Sequence, residues 1–263
     1  MQVMESGFCK ETDATKRPPV MLDHPFSTLL LAPLLLAQGL YTRKVTPKLP
    51  EPEGARCGVA GSGHLLKLLI VGDSAAAGVG ARHQQNALSG RLVERLSEHH
   101  EVHWQLNATT GHKTRDAIQG LARLTPYPVD VALISLGVND VTSTHRVRLW
   151  LDHMAELNQL LTERFDCRQV LYTSVPPMHL FPALPQPLRW YLGRKAQLFN
   201  RHLAESASTW PSSRILSIPF PLTPEFIAQD GFHPSEAAYR IWADAAAREI
   251  VQGRASQVHF NSR

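Results

Sequence analysis

The sequence predicts one α/β domain in which helices cover both faces of a parallel sheet. Five short apolar segments have the composition of buried strands, at residues 65–71, 102–106, 129–136, 169–175 and 214–218. Segments with apolar residues at helical spacing alternate with them, at residues 84–99, 114–124, 146–165, 188–206 and 236–251. Because strands that alternate with helices pair in parallel through right-handed crossovers, we expect a doubly wound, five-stranded sheet.

The composition agrees with a domain that has a substantial core. The chain has 263 residues, of which 43% are hydrophobic. Its 27 basic and 23 acidic residues give a formal charge of +4 that is spread thinly along the chain. Nucleic-acid-binding proteins concentrate basic and aromatic residues on one face, so we expect no nucleic-acid partner.

The cysteines and histidines do not form a metal-binding or disulfide pattern. Cys9, Cys57 and Cys167 are odd in number and widely separated, which excludes a fully paired disulfide framework and a zinc-binding pair. None of the 13 histidines lies in a His-Glu-x-x-His arrangement. We therefore expect no metal ion and no cofactor.

Four regions follow from the organisation of the chain. Residues 1–24 read as a disordered tail, 25–54 as an apolar segment with a proline-rich linker, 65–252 as the domain, and 253–263 as a tail. The stretch from Pro25 to Tyr41 has no charged residue, and Arg43, Lys44 and Lys48 follow it. A signal peptide, a membrane-spanning helix and an interfacial or domain-packed helix are the three interpretations. The third is favoured and predicts a cytoplasmic or membrane-associated protein with peripheral membrane contact; export is the alternative.

Gly72-Asp73-Ser74 directly follows the apolar strand at residues 65–71. This placement presents the hydroxyl of Ser74 at a helix N-terminus, where backbone N–H groups stabilise negative charge. Asp and Ser are also the residues that begin helices, so the tripeptide alone fits a turn with an N-cap. Other residues must decide between the two.

Three later segments supply the groups that a serine nucleophile needs. Gly111 ends Asn107-Ala108-Thr109-Thr110-Gly111 and, without a Cβ, can turn its N–H toward a ligand. Asn139 follows the strand at residues 129–136 and offers an amide donor. Asp230 precedes His233 by three residues, so its carboxylate can fix the tautomer of the imidazole. Serine needs such a base for acyl transfer, together with donors for the oxyanion.

Ser74, Gly111, Asn139 and His233 with Asp230, in this order, resemble the four signature blocks of the SGNH hydrolases, the GDSL-type esterase and lipase superfamily. The resemblance spans about residues 65–252. It implies a three-layer α/β/α, flavodoxin-like fold. It also implies Ser74 as nucleophile, His233 as general base and then acid, Asp230 as the residue that orients His233, and an oxyanion hole made by Ser74 N–H, Gly111 N–H and the Asn139 amide.

One departure from the family pattern bears on substrate shape. The usual fourth residue of the first block, Leu, is Ala75 here, which removes bulk beside the nucleophile. Residues 176–190 follow the fourth strand and are rich in proline and apolar side chains. They predict either a pocket wall or an ordinary loop that buries those side chains. The expected substrate-pocket residues are Ala75, Met178, Leu180, Phe181 and Phe232.

These observations predict a serine ester hydrolase that cleaves carboxylic esters, with short acyl chains preferred, of a small-molecule or lipid substrate. Lysophospholipase, thioesterase and carbohydrate O-deacetylase activities are alternatives on the same fold. Two rivals belong to other classes. Gly-Asp and Gly-x-Asn-Asp near histidines would suit a metal-dependent phosphoesterase, and the fold could also serve as a catalytically silent binding module.

Overall fold

The computed structural model describes residues 25–143, 146–218 and 223–261, and the predicted tail at residues 1–24 lies outside them. Six strands form one sheet in the order β1-β3-β2-β4-β5-β6. The strands are β1 Cys57–Ala60, β2 His64–Gly72, β3 His100–Ala108, β4 Val131–Ser135, β5 Gln169–Thr173 and β6 Ser213–Leu216. The helices are α1 Pro25–Val45, α2 Ser74–Ala77, α3 Leu88–Leu96, α4 Thr114–Ala122, α5 Val138–Val141, α6 Val147–Arg164, α7 Leu188–Ala207 and α8 Glu236–Asn261.

The α/β class is confirmed, and the strand count is corrected from five to six. β2 to β6 correspond to the five predicted strands and pair in parallel. The additional strand, β1, pairs antiparallel with β3 at the edge of the sheet. Three of its four residues are exposed and its second residue is Gly58, so it lacks the apolar pattern that marks a buried strand.

Two hydrophobic cores lie on opposite faces of the sheet. Leu69 and Val71 of β2 pack with α4, α6 and α7, whereas Leu68 and Ile70 pack with α3 and α8. This division follows from the alternation of side chains along a strand, because successive residues point to opposite faces. The result is the expected three-layer arrangement of helices, sheet and helices.

The apolar segment that begins at Pro25 forms α1, which packs against the α7 side of the domain. Leu35 is buried there. The Gln38 side chain donates to the carbonyl of Gln186 and accepts from the N–H of Leu188, at 2.6 and 3.1 Å. These bonds attach the middle of α1 to the start of α7. Among the described residues, no helix is long and apolar enough to cross a membrane.

α8 passes the end of the predicted helix at residues 236–251 and enters the segment predicted as a C-terminal tail, residues 253–263. α8 continues to Asn261, because the residues after Gly253 up to that point include neither Gly nor Pro to end the helix.

Parallel pairing places the motif segments at one edge of the sheet. Gly72 at the end of β2 pairs with Ser135 at the end of β4. Ser74 therefore follows β2 at the same edge where Asn139 follows β4, and Gly111 comes three residues after the end of β3. Open α/β sheets bind ligands at this carboxyl edge, so the fold brings the predicted site residues to the expected place.

Candidate active site

Ser74, His233 and Asp230 form a continuous chain of hydrogen bonds. Nε2 of His233 lies 2.8 Å from Oγ of Ser74, and Nδ1 of His233 lies 2.5 Å from Oδ2 of Asp230. Only about 1% of the Asp230 side chain is exposed, against 17% for His233. A carboxylate against Nδ1 fixes the tautomer that carries hydrogen there, which leaves Nε2 able to accept the hydrogen of the Ser74 hydroxyl.

The loop that carries His233 is organised by Asp230. Its Oδ1 accepts hydrogen bonds from the backbone N–H groups of Phe232 and His233, both at 3.0 Å. Burial raises the pKa of Asp230, but these bonds and the contact with the His233 ring outweigh that effect and hold the pKa below its usual value. Asp230 is therefore an ionised partner for an imidazolium formed at His233.

Asp73 connects the turn before Ser74 to the neighbouring strand. Its N–H donates to the carbonyl of Ser135, and its Oδ1 accepts from the N–H of Ala75, both at 3.1 Å. The side chain thus caps the short helix α2 as the N-cap interpretation predicts. Burial raises the pKa of Asp73 to about 7, although the Ala75 hydrogen bond and the charge of His233 lower it.

Asn139 lies on α5, the short helix after β4, and its side chain extends to the turn that precedes Ser74. Its Nδ2 donates to the carbonyl of His112 at 2.9 Å and to Oδ2 of Asp73 at 3.3 Å. Gly137, which precedes α5, has a φ of +122°, and Gly111 has a φ of +84°. Side chains other than Gly rarely adopt these backbone conformations, so both turns require glycine.

An apolar cavity of about 530 Å³ opens beside Ser74. Four of the predicted pocket residues line it, namely Ala75, Leu180, Phe181 and Phe232. The rings of Phe181 and Phe232 meet edge to face, with centroids 4.9 Å apart. The segment at residues 176–190 therefore contributes a wall to the cavity and also buries some of its own side chains.

Met178 does not belong to this wall, which corrects one predicted pocket residue. Its side chain is fully buried in the core on the α7 face. Met178 begins a short 3-10 turn, Met178–Leu180, that directs it inward, whereas Leu180 faces the cavity. The sequence of the loop gave no periodicity from which this inward direction could be read.

A second, larger cleft of about 1,970 Å³ also borders the triad. Asn139, Asp230 and His233 border it, and α1 and α7 supply much of its lining. His233 and Phe232 line both cavities. The residues that α1 and α7 contribute were not predicted, because contact between these distant segments depends on packing that no local pattern shows.

The linker after α1 also reaches the site. Oε1 of Glu51 accepts from both the N–H and the hydroxyl of Thr110 at 2.7 Å, next to Gly111.

Within residues 25–143, 146–218 and 223–261, no group of three His, Cys, Asp or Glu side chains is placed to hold a metal ion.

Comparisons with known proteins show the family to which the chain belongs. The profile of the GDSL-like lipase/acylhydrolase family matches residues 70–241, a range that contains Ser74, Gly111, Asn139, Asp230 and His233. No curated protein matches the chain. Many solved structures resemble the chain at low identity, and at such identity the likeness shows the fold alone.

The lipase Lip_vut3 from a goat rumen metagenome is 18% identical, with a TM-score of 0.55 over 70% of this chain and 97% of that one. The esterase EstA from Pseudoalteromonas sp., solved with monoethylphosphonate, is 16% identical, with a TM-score of 0.54 over 71% and 97%. A carbohydrate esterase family 2 enzyme from Corynascus thermopiles is 14% identical, with a TM-score of 0.59 over 80% and 69%. The chain thus belongs to the GDSL-like lipase/acylhydrolase family and is a carboxylic ester hydrolase.

Proposed function

We propose that the protein hydrolyses carboxylic esters through an acyl-enzyme on Ser74. The observation that carries this proposal is the chain of hydrogen bonds from Ser74 through His233 to Asp230. As Oγ attacks the acyl carbon, His233 takes its proton at Nε2, and Asp230 stabilises the resulting imidazolium. The bond to the alcohol then breaks and His233 returns the proton to the leaving oxygen. Water releases the acyl group from Ser74 by the same steps.

The negative charge that develops on the carbonyl oxygen needs donors beside Ser74. We assign these to the N–H groups of Ser74 and Gly111 and to the side-chain amide of Asn139. The position of Ser74 at the start of α2, the positive φ of Gly111 and the contact of Asn139 with Asp73 support this assignment.

The acyl group lies, in this proposal, in the apolar cavity beside Ser74. Ala75, Leu180 and Phe181 supply an apolar lining, and Pro176, Pro177 and Pro182 stiffen one wall. Rigid walls limit the length of the acyl chain that fits the cavity, so we propose a preference for short acyl groups, from acetyl to about hexanoyl. The volume of about 530 Å³ lies in the range of small-molecule sites, so the chain-length profile is the informative measurement.

The nucleophile can be tested with an activated phosphonate ester and p-nitrophenyl acetate. The wild type should be inactivated with one phosphonate bound per chain, and Ser74→Ala should bind none and lose turnover. Ser208→Ala, which removes an exposed hydroxyl at the end of α7, is the matched control and should behave as the wild type. Activity that survives the phosphonate but is lost to a chelator would replace this proposal with a metal-dependent mechanism.

We further propose that α1 holds the enzyme at the surface of an anionic membrane. Leu30, Leu34, Tyr41 and Val45 form an outer apolar stripe at helical spacing, with 83%, 47%, 61% and 50% exposure. Because the inner face of α1 already packs on the domain through Leu35, the outer apolar stripe is available to lipid. Residues 25–50 contain no acidic residue, and Arg43, Lys44 and Lys48 suit anionic headgroups. The corresponding location is peripheral, on the cytoplasmic side.

A further inference from the structure

The large cleft beside the triad has an unbalanced set of charged side chains. Two acidic residues line it among the described residues, Glu51 and Asp230. Both are engaged, since Glu51 accepts from Thr110 and pairs with Arg56 at 2.9 Å, and Asp230 binds His233. Six basic residues line the same cleft: Arg43, Lys48, Arg146, Arg194, Lys195 and Arg201.

Lys195 is the most enclosed of these cations. It is half-buried on α7, where its Nζ donates to the carbonyl of Ser143 at 2.7 Å and lies 5.5 Å from the ring centroid of Phe199. Burial lowers the pKa of Lys195 to about 8, while the charge of Asp140 raises it. The ammonium group keeps its charge at neutral pH in a place where water is partly excluded, which strengthens its attraction for a further anion.

Arginines from α1, from α7 and from the residue before α6 line the same cleft as Lys195. The guanidinium group of Arg194 lies over the ring of Trp190, with its carbon 5.8 Å from the ring centroid. Arg146 is exposed at the start of α6, and Arg43 is exposed near the end of α1. Guanidinium groups match the geometry of phosphate oxygens, and a cleft lined by one sign of charge concentrates ligands of the other sign.

The position of the cleft decides which part of an ester would occupy it. Ser74 and Ala75 face the apolar cavity, whereas Asn139 faces the cleft and His233 borders both. With the acyl group in the apolar cavity, the alcohol leaves past His233, which protonates its oxygen. The alcohol therefore extends into the region that holds the six cations.

We propose that the preferred substrates are esters of a phosphorylated alcohol, whose phosphate binds the cationic cleft formed by Lys195 with Arg43, Arg146 and Arg194. This inference rests on the proposed acyl-enzyme at Ser74 and specifies the leaving group. Attack breaks the bond between the acyl carbon and the alcohol oxygen, that oxygen takes a proton from His233, and the phosphorylated alcohol is released with its phosphate intact.

A matched pair of substrates tests this proposal: butyrylglycerol and its phosphate monoester. The wild type should show a kcat/KM that is roughly tenfold or more higher for the phosphorylated ester. One hydrogen bond to a charged group contributes enough binding free energy for a factor of about ten. Arg146→Gln, Arg43→Gln and Lys195→Gln should each reduce the ratio of the two kcat/KM values several-fold. Arg240→Gln, which changes an exposed arginine of α8 outside both cavities, is the matched control and should keep the wild-type ratio.

Two further measurements separate binding from folding and identify the source of the phosphate. Inorganic phosphate should inhibit butyrylglycerol hydrolysis competitively, and Arg146→Gln should weaken that inhibition while the thermal midpoint stays at the wild-type value. Vesicles that contain phosphatidate present the same group on a lipid: stronger inhibition of butyrylglycerol hydrolysis by these vesicles than by soluble glycerol phosphate identifies a headgroup, and the reverse identifies a soluble alcohol.

A ratio near one in the wild type, or equal losses in Arg146→Gln and Arg240→Gln, would overturn the phosphate site. Hydrolysis of butyrylglycerol that is lost in Ser74→Ala would still support the acyl-enzyme in that case. Failure of this inference is thereby distinguishable from failure of the proposed function.

Discussion

Nδ2 of Asn139 donates to Oδ2 of Asp73 at 3.3 Å, one residue before Ser74. The same nitrogen donates to the carbonyl of His112 at 2.9 Å. Because an amide nitrogen has two hydrogens, both are engaged in the free enzyme. A substrate oxyanion would therefore take the hydrogen that now points to Asp73, since that bond is the longer of the two. The proposed role of Asn139 thus requires an exchange of partners between Asp73 and the reacting oxygen.

The first prediction concerns Asn139→Ala. This change leaves Ser74 and His233 in place but removes a donor that matters most when the carbonyl oxygen gains charge. We expect kcat for p-nitrophenyl acetate to fall roughly 10²–10³-fold with little change in KM. A rise in KM alone would show instead that Asn139 binds the substrate in its ground state.

The second prediction concerns the buried carboxyl group of Asp73. Its pKa of about 7 in the folded protein is higher than the ordinary value near 3.9 expected after unfolding. Between about pH 4 and pH 7 the folded state therefore binds more protons, and the free energy of unfolding should fall as the pH rises. Each pKa unit corresponds to about 1.4 kcal/mol, so this contribution reaches about 4 kcal/mol at most.

Asp73→Asn removes this titration and should flatten that part of the stability profile, measured by urea unfolding from about pH 4 to about pH 8. Asp230 has the opposite effect on stability. Because its pKa is lowered in the folded protein, ionised Asp230 stabilises the fold at pH values above its ordinary pKa, and this contribution is lost in acid. It is present in both proteins, so the difference between their profiles isolates Asp73. Asp152→Asn, at an exposed position of α6, is the control, and an equal effect from it would contradict the assignment.

The third prediction concerns Ser74 and His233 as a unit. Since both act in one proton transfer, Ser74→Ala, His233→Ala and the double variant should lose similar fractions of kcat/KM. Losses that multiply in the double variant would indicate independent roles.

Much of this arrangement could be predicted from the sequence because its signals are local. The strand at residues 65–71 is a continuous apolar run, and the motif residues come directly after such runs. Parallel pairing then suffices to bring Ser74 and Asn139 to one edge of the sheet. Asp230 and His233 are three residues apart, so their contact is also encoded locally.

The features that escaped prediction depend on distant contacts. Strand β1 is exposed and exists through its pairing with β3. Met178 packs in the core with residues of α7, a contact that the sequence of the loop does not indicate. Likewise, the large cleft is lined by both α1 and α7, which meet through Gln38 and Leu188, 150 residues apart.

The fourth prediction concerns the length of the acyl chain. Ala75 lines the apolar cavity beside Ser74, and Ala75→Leu would restore the bulk that is usual at this place in the family. We expect this change to reduce kcat/KM for hexanoyl esters more than for acetyl esters, because the longer chain needs the space that leucine fills. The ratio of the two p-nitrophenyl esters measures the effect, and each protein serves as its own control for overall activity.

Replacement of residues 182–187 by a glycine-serine linker should have the opposite effect on selectivity. It should flatten the chain-length profile more than it slows acetyl-ester turnover, because the wall would lose its rigidity. A wild type that prefers long-chain esters over acetyl and butyryl esters would contradict the proposed short-chain pocket.

The last prediction concerns the outer apolar stripe of α1. The wild type should bind vesicles of mixed anionic and zwitterionic lipid in a flotation assay, and binding should weaken as salt is added. Leu30→Ser with Leu34→Ser should reduce the partition coefficient more than about tenfold, because exposed leucines contribute by entering the acyl region. Lys44→Gln should reduce it about fivefold, which corresponds to about 1 kcal/mol for one basic residue at an anionic surface.

Leu149→Ser provides the matched control, since Leu149 is 45% exposed on α6 and lies outside α1. It should bind vesicles as the wild type does. If the stripe variants instead convert a dimer into a monomer in sedimentation and leave vesicle binding unchanged, the stripe covers a second copy of the chain. If neither the wild type nor any variant binds vesicles and all of them are monomeric, both a lipid surface and a second copy of the chain are refuted as partners of the stripe. Hydrolysis of p-nitrophenyl acetate would remain the independent test of Ser74.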